Sequence, residues 1–381
     1  MDTVAAARSL APILRDRAAE IEAARRLPED LARRFAEEGF CRLLVPEAYG
    51  GLEAPPAQML ETVEALAEAD GSAAWCVFIY ATSGSLLGYV AETEARCIFA
   101  APETILAGVF APQGEAVGEG DGFRVNGRWQ WGSGSQNADW VMGGCRVIRD
   151  GTMVAAPSGA PIPHLLLAPA VDIAFFDTWD VSGLCGTGST DFAMENVFVP
   201  GGRAVALSVD RPLDRPLYQF PNFALLALGI AGVAMGLARS AIRELVDLAG
   251  AKTPAGATRP LANRPHSQSE VAKAEAGLRS ARAFLFETVA AASEAAAAGG
   301  PIPVDRKRDL RLATTWATRS AAEAVDRMYE LGGGSSVHRA SKLQRVFRDV
   351  HVATQHMMVA PTTYELTGRL LLGQETDTTF L

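Results

Sequence analysis

The sequence has few of the residues that would mark it for metal binding or disulfide formation. It contains five cysteines and five histidines among 381 residues. The cysteine number is odd, and no Cys-x-x-Cys pair or other metal-ligand spacing occurs, so we interpret the cysteines as reduced, mostly buried thiols. No secretory signal is visible at the N-terminus, which together with the thiols predicts a cytoplasmic protein. The cysteines are Cys41, Cys76, Cys97, Cys145 and Cys185.

Long apolar runs and basic clusters are also scarce. The longest apolar run, Phe223 to Ala238, has 16 residues before Arg239, fewer than the ~20 that cross a bilayer. We therefore expect a helix that is buried on nearly all sides. The net charge is −9 with scattered lysines and arginines, which disfavours nucleic acid or a membrane surface as a partner. No glycine fingerprint of a dinucleotide site follows a strand, which disfavours a nicotinamide-binding Rossmann domain.

The patterns that are present divide the chain into three parts. Residues 1–103 have helical periodicity, residues 104–205 contain short strands, and residues 206–381 are helical again, which predicts an α+β protein. In the middle part "GFRVNGRWQW" is predicted to be a hairpin that turns at Asn126-Gly127, and Asp150-Gly151 is predicted to be a second turn. The last part predicts a four-helix bundle. One of its apolar stripes is Val271, Ala274, Leu278, Ala281 and Leu285.

Two segments have the composition of a ligand contact. Residues 131–140, "WGSGSQNADW", place tryptophans beside glycines and short hydroxyl side chains, which suits a flat ligand. The alternative is that Trp131 is a core residue and Ser133 a loop hydroxyl; Trp140 is interpreted as core. Three glycines, 332–334, follow a helix ending at Leu331, whereas one glycine is enough to cap a helix. The triplet therefore suits a backbone close to a ligand, with a plain helix cap as the alternative.

The order of the three parts resembles that of the acyl-CoA dehydrogenase superfamily. The segments that carry the resemblance are "LVPEAYGG", the Trp-x-Ser segment, "SGLCGTGSTDFAMENVFVP" and "LGGGSS" followed by "LQRVFRDVHVATQHM". The resemblance covers essentially the whole chain. It implies a flavoprotein with an N-terminal helical domain (1–103), a middle β-barrel-like domain (104–205) and a C-terminal helical bundle (206–381). It also implies a homotetramer with flavin between subunits, which the apolar run from Phe223 and the glycine triplet both suit; a dimer is the alternative.

The resemblance also implies roles for particular residues. Trp131 would lie against the flavin ring, and the hydroxyl of Ser133 would form a hydrogen bond near its N5 atom. Gly332, Gly333 and Gly334 would contact the flavin of the neighbouring subunit, toward its phosphate or adenine end.

The catalytic glutamate of acyl-CoA dehydrogenases is missing. Alignment on the Arg-Asp pair of "VFRDVH" puts its position at Met357, and the other position that some members use falls near Val246. A thioester dehydrogenase without this base cannot remove the α-proton. His356 stands beside the vacated position, and "GRWxxxSGSxxADW" and "GLxGTGSxD" are similar to the flavin-dependent monooxygenase branch. That branch implies FAD or FMN supplied in reduced form by a separate reductase, O₂, and a small organic substrate.

We therefore predict a monooxygenase with His356 as catalytic acid or base and Ser133 beside the flavin; a core or surface role is the alternative for His356. His351 is interpreted as structural or supporting. Several phenol hydroxylases have histidines at the positions of Ser83 and Asn137, so an amine, sulfur or alicyclic substrate is favoured over a phenol. Ser83, Asn137 and Met357 are predicted to line the substrate pocket.

Two other functions remain open from the sequence. One is an acyl-CoA dehydrogenase whose base is Glu365 or Glu244, and the other is a non-catalytic flavin- or ligand-binding protein. Cys185 replaces an arginine that the family usually has, with no consequence that the sequence reveals.

Overall fold

The N-terminal part of the chain is helical, as expected. The computed structural model describes residues 1–156, 159–379 and 381. Helix α4 is apolar and almost entirely buried, and its first turn is capped by Asp70, whose carboxylate accepts the N–H of Ala73 at 2.9 Å. The helices of this part are α1 (Thr3–Ala24), α2 (Glu29–Glu37), α3 (Pro56–Ala67), α4 (Gly71–Ser85) and α5 (Glu92–Ile98).

The middle part forms one mixed sheet of eight strands, in the order β6-β7-β2-β1-β3-β5-β8 with β4 beside β3. Only the β1–β3 pairing among these is parallel. The predicted turn at Asp150-Gly151 is confirmed, because both residues have positive φ between β3 and β4. The strands are β1 (Leu106–Glu119), β2 (Gly122–Gly132), β3 (Trp140–Arg149), β4 (Thr152–Met153), β5 (Pro163–Pro169), β6 (Ala174–Phe176), β7 (Thr190–Pro200) and β8 (Ala204–Val205).

The predicted hairpin at Asn126-Gly127 is wrong. Both residues lie inside the continuous strand β2, and the β1–β2 turn falls instead around Gly120 and Asp121. Gly127 is needed for close packing rather than for a turn, since a Cβ there would lie 2.6 Å from the Cα of Gly114 and 2.9 Å from the ring of Trp129. The Asn-Gly pair therefore marks an irregularity in the β2–β7 register.

The C-terminal part is the expected helical bundle. Its central helix α7 is long and apolar enough to span a membrane, but 94% of its most apolar 18-residue window is buried inside the protein. This confirms the prediction of a helix buried on nearly all sides. The apolar run is covered by helices α3, α4, α9 and α10 of the same chain. The helices are α6 (Pro216–Gln219), α7 (Asn222–Ala251), α8 (Pro265–Ala297), α9 (Val304–Gly332), α10 (Lys342–Ala353) and α11 (Thr362–Leu371).

Helix α10 ends earlier than its apolar pattern predicts. The pattern continues to Met358, but the helix stops at Ala353, and residues Met357–Val359 form a separate 3₁₀ turn. The side chain of His356 accepts the backbone N–H of Met358 at 3.2 Å. His356 thus caps this turn, as an N-cap residue does, and is not on the helix.

Candidate active site

Trp131 stands exposed at the end of strand β2. Its side chain is 66% exposed, whereas Trp129, two residues earlier, is fully buried against Phe192. Strict alternation would put both tryptophans on the same face. The register shift between β2 and β7 after Trp129, with a positive φ of 68° at Trp131, reverses this. Trp131 is therefore not a core residue, and its indole is available to a ligand.

Ser133 is buried just beyond Trp131 and belongs to a chain of polar groups. The indole N–H of Trp75, on α4, donates to the Ser133 hydroxyl at 3.1 Å. The Ser133 and Ser189 hydroxyls are 2.6 Å apart, and Ser189 is 2.7 Å from the hydroxyl of Thr187. Ser133 is therefore more than a loop hydroxyl, because it joins the helical part to the sheet.

The ring of His356 also lies beside Trp75. Their ring centroids are 6.0 Å apart, so Trp75 brings Ser133 and His356 into one cluster. Burial, and secondarily the charge of Arg311, lowers the pKa of His356 to about 4. The imidazole is therefore neutral at pH 7. Its Nδ1 accepts the Met358 N–H, so the ring proton is on Nε2.

Met357 differs from its predicted surroundings. Its side chain is 63% exposed, while Met358 and Val359 are buried. Met357 therefore does not share the burial of its two neighbours, and the aromatic contact of the His356 ring is with Trp75. Met357 faces outward because the 3₁₀ turn rotates successive side chains by about a third of a turn.

The two positions that replace histidines differ in their contacts. Asn137 is partly buried, and its amide nitrogen donates to the Leu27 carbonyl at 2.9 Å. Ser83 is 2% exposed on α4, two helical turns beyond Trp75, and its hydroxyl has no hydrogen-bond partner among the described residues. A buried polar group without a partner is uncommon. Because the hydroxyl oxygen is itself covered by protein atoms, a ligand would reach it only if the covering side chains move.

The segments "GLCGTGS" and "VFRDVH" meet at the buried carboxylate of Asp349. Asp349, on α10, accepts the N–H of Leu184 at 2.6 Å, and neighbouring Arg348 pairs with Glu22 at 2.7 Å. A Cβ at Gly183 would lie 2.4 Å from the Arg348 carbonyl. Helix α10 therefore packs directly on the 183–189 loop. Burial raises the pKa of Asp349 to about 7.

Asp349→Asn is expected to change how stability depends on pH. The pKa of Asp349 in the folded protein lies above the ordinary value of ~3.9. Its contribution to the free energy of unfolding is therefore fully present at low pH and is lost as pH rises toward about 7. The asparagine can still accept from Leu184 but has no charge to bury. Relative to wild type, the variant should gain about 1–3 kcal/mol in free energy of unfolding between roughly pH 5 and pH 8, measured by chemical denaturation.

The exposed Asp180, close to the same loop, supplies the control substitution Asp180→Asn. If the free energy of unfolding of Asp349→Asn changes with pH as that of wild type does over this range, the raised pKa of Asp349 is contradicted.

The glycine turn lies in a separate cleft. Gly332 ends α9, and Gly333, at φ 50° and ψ −140°, begins a 3₁₀ turn. The ammonium of Lys252 donates to the Gly332 carbonyl, and to the Ser335 hydroxyl at 2.9 Å. The cleft measures about 500 Å³, and its lining includes Gly333, Gly334, Ser335, Lys252, Arg264 and His266. The sequence singled out the glycines but not Lys252, which follows the last turn of α7.

The carboxylates proposed for a dehydrogenase do not join the Trp75 cluster. Glu365 is exposed on α11, and Glu244 is partly exposed on α7. Burial lowers the pKa of Lys342, and the nearby charge of Glu244 partly opposes this. Val246, at the alternative base position, is exposed. None of the described contacts links these residues to Ser133 or His356.

Several other residues are structural. His351 pairs with Asp326 at 2.7 Å and packs on Phe347, as a supporting residue would. Trp140 is only partly buried, beneath the guanidinium of Arg203. The described cysteines are all free thiols, and Cys41, Cys76 and Cys145 are buried as expected, whereas Cys97 is exposed. Cys185 donates to the Val181 carbonyl at 3.2 Å.

Comparison with known proteins agrees with this architecture. Residues 4–93 match the acyl-CoA dehydrogenase N-terminal domain, and residues 228–361 match the acyl-CoA dehydrogenase C-terminal domain. An indole-3-acetate monooxygenase from Pseudomonas putida is 36% identical over 95% of this chain and 92% of its own. The oxygenase subunit HsaA of a flavin-dependent monooxygenase from Rhodococcus jostii (strain RHA1) is 30% identical over 91% and 92%. XiaF from Streptomyces, solved with FADH2 and glycerol, superimposes with a TM-score of 0.91 at 26% identity, covering 100% and 97%.

The chain belongs to the acyl-CoA dehydrogenase superfamily, whose helix–sheet–helix architecture it has in full. Within that fold it is a flavin-dependent monooxygenase that uses reduced flavin, rather than an acyl-CoA dehydrogenase. The residues present suit such a cofactor. Trp131 offers an exposed aromatic face beside buried hydroxyls, and the glycine cleft offers cationic side chains that suit phosphate.

Proposed function

We propose that this chain is the oxygenase component of a two-component system. It would take reduced FAD or FMN from a separate flavin reductase and, with O₂, add one oxygen atom to a small aromatic molecule. The observation that carries this proposal is the cluster of Ser133, Trp75 and His356 beside the exposed Trp131. Its support is that HsaA is named as an oxygenase subunit and that XiaF was solved with FADH2.

Each residue of the cluster has a role that follows from its contacts. Trp131 would form the wall against which the flavin ring lies, and Ser133 would meet the ring at N5. The bound reduced flavin supplies the electrons that activate O₂. The Nε2–H of His356 would donate to the reacting oxygen or to a polar atom of the substrate, because Nδ1 is occupied by Met358. Trp75 would hold Ser133 and His356 in position and keep water out of the space between them.

An indole-type substrate fits this site better than a simple phenol. The relatives with 36% and 30% identity are named indole-3-acetate monooxygenases, and Ser83 and Asn137 take the places of two histidines of phenol hydroxylases. The unpartnered hydroxyl of Ser83 would accept or donate a hydrogen bond to a polar group on the ring system. We infer a fused aromatic ring with one polar edge as the substrate class.

Ser83→Ala is expected to separate binding from stability. Removing a hydroxyl that has no protein partner should leave the melting temperature unchanged or slightly higher. The KM for a polar indole should rise about 3- to 30-fold, the scale of one hydrogen bond. Thr82→Val provides the control, because the Thr82 hydroxyl donates to the Phe78 carbonyl within α4. A lower melting temperature with an unchanged KM would contradict a substrate contact.

Oxygen uptake tests the proposed function directly. The purified chain, NADH, a flavin reductase and either FMN or FAD would be mixed with indole-3-acetate, a simple phenol, a thioether or an acyl-CoA in parallel. Product carrying one atom of ¹⁸O from ¹⁸O₂, with the indole or another small substrate, is the expected result. Flavin reduction by the acyl-CoA in the absence of reductase would instead establish the dehydrogenase alternative.

We further propose a cytoplasmic homotetramer in which the glycine cleft of one subunit meets the flavin of another. Apolar side chains on the outside of the bundle, including Trp316, Leu371 and Leu372, support an intersubunit contact. Helix α7 gives no such support, because other helices of its own chain cover its apolar residues. Light scattering at micromolar concentration should give four times the chain mass, and a monomer would overturn the shared site.

A further inference from the structure

We propose that a one-directional relay of three hydroxyls makes the flavin site selective for the reduced ring. This inference rests on the proposed placement of the flavin N5 atom beside Ser133. The relay runs from Trp75 through Ser133, Ser189 and Thr187 to the carbonyl of Leu184. All of these side chains except that of Trp75 come from the two segments "WGSGS" and "GLCGTGS".

Both ends of the relay have a fixed direction. An indole N–H can only donate, so Trp75 donates to Ser133 at 3.1 Å. A backbone carbonyl can only accept, so Thr187 donates its hydroxyl proton to Leu184 at 2.8 Å. The position of Leu184 is itself held by Asp349, which accepts its N–H.

The two ends determine the three hydroxyls between them. Because the proton of Thr187 is used on the carbonyl, the 2.7 Å contact with Ser189 requires Ser189 to donate to Thr187. The 2.6 Å contact between Ser189 and Ser133 then requires Ser133 to donate to Ser189. A hydroxyl has one proton and two lone pairs. Ser133 has used its proton and one lone pair, and only an acceptor site is left.

An acceptor at this position distinguishes the two redox states of a flavin. The N5 atom of a reduced flavin carries a hydrogen and donates, whereas the N5 atom of an oxidised flavin has a lone pair and accepts. Ser133 therefore complements the reduced ring and faces the oxidised ring with lone pair against lone pair. The oxidised flavin would leave after turnover, which suits a cofactor exchanged with a reductase.

The substitution Ser189→Ala tests the relay. It removes the acceptor for the Ser133 proton, so that the hydroxyl can turn and donate to oxidised N5. Dissociation constants for oxidised and chemically reduced FMN and FAD would be measured anaerobically. The wild-type protein should bind reduced flavin more tightly. In the variant, the ratio of the oxidised to the reduced constant should fall about tenfold, the scale of one hydrogen bond gained.

A second variant and a matched control complete the test. Thr187→Val removes the fixed end of the relay at nearly constant volume, and it should lower the same ratio. Ser135→Ala is the control, because the buried hydroxyl of Ser135 donates to the Gly132 carbonyl at 2.7 Å and is outside the relay. Its ratio should equal that of wild type.

The outcomes separate the relay from the flavin site. If Trp131→Ala weakens the binding of both redox states while Ser189→Ala and Thr187→Val keep the wild-type ratio, the relay is overturned and the site stands. If Trp131→Ala changes neither constant, the placement of the flavin is wrong, and the relay inference is overturned with it.

Discussion

His356→Ala is expected to lower product formation by about 10²–10⁴-fold, the range for losing a group that exchanges or shares a proton with the reacting atoms. The reason is the position of the neutral ring, whose Nε2–H remains available while Nδ1 is bound to Met358. Binding of reduced flavin should be unchanged, since Trp131 and Ser133 remain. O₂ consumed should then appear as hydrogen peroxide instead of oxygenated product, and a coupled peroxide assay measures this.

The matched control is the other histidine of this region. His351 pairs with Asp326 at 2.7 Å on α10, so His351→Ala should keep most of the coupling between O₂ and product. If His356→Ala retains full coupling, the proton-donating role belongs to another group, and Ser83 and Asn137 are the next residues to replace.

The pH dependence of the same reaction follows from the burial of His356. The folded pKa of about 4 leaves the ring neutral above about pH 5. Below that, protonation of Nδ1 would break the hydrogen bond from Met358 and place a second positive charge near Arg311. The protonation state of His356 should therefore cause no change in product formation between roughly pH 6 and pH 8, and product formation should decline as pH falls toward 4.

Trp131→Ala is the second change with a large expected effect. The indole is 66% exposed, so its loss should cost the fold little, in contrast to a core tryptophan. If it forms the wall of the flavin site, flavin affinity should fall by about 1–3 kcal/mol, or roughly 5- to 150-fold. Fluorescence titration with reduced and oxidised flavin, beside thermal unfolding of the apoprotein, measures both quantities.

The neighbouring side chain provides the control for this experiment. Gln130 is exposed on the same strand, and Gln130→Ala should alter neither flavin affinity nor stability. A Trp131→Ala protein that loses several degrees of melting temperature but binds flavin normally would return the indole to a structural role.

The sequence alone was sufficient for the class of fold, and it favoured oxygenation over two other functions. Helical and strand periodicity each depend on residues close together in the chain, so the order of helices, sheet and bundle could be predicted from local patterns. The spacing of the Trp-x-Ser segment, "GLCGTGS" and the Arg-Asp pair was enough to recognise the superfamily. The missing glutamate at Met357 then favoured oxygenation over dehydrogenation.

The details of the site depended on contacts between distant segments. Alternation along β2 predicts a buried Trp131, and only the register of β2 against β7 turns that indole outward. Asn126-Gly127 has the local preference for a turn, but the neighbouring strands hold it in a continuous strand. In both cases the partner strand outweighs the local preference, because ladder hydrogen bonds and side-chain packing stabilise one register over many residues.

Trp75 was not singled out because, in sequence, it is one apolar residue in an apolar helix. Its importance comes from an N–H directed at Ser133 and a ring beside His356, neither of which is near it in the chain. The direction of the hydroxyl relay likewise follows from a donor on α4 and a carbonyl in the 183–189 loop. Sequence determined which side chains could do this chemistry. The tertiary structure decided their partners, because a hydrogen bond needs its donor and acceptor within about 3 Å, and only folding brings these distant segments so close.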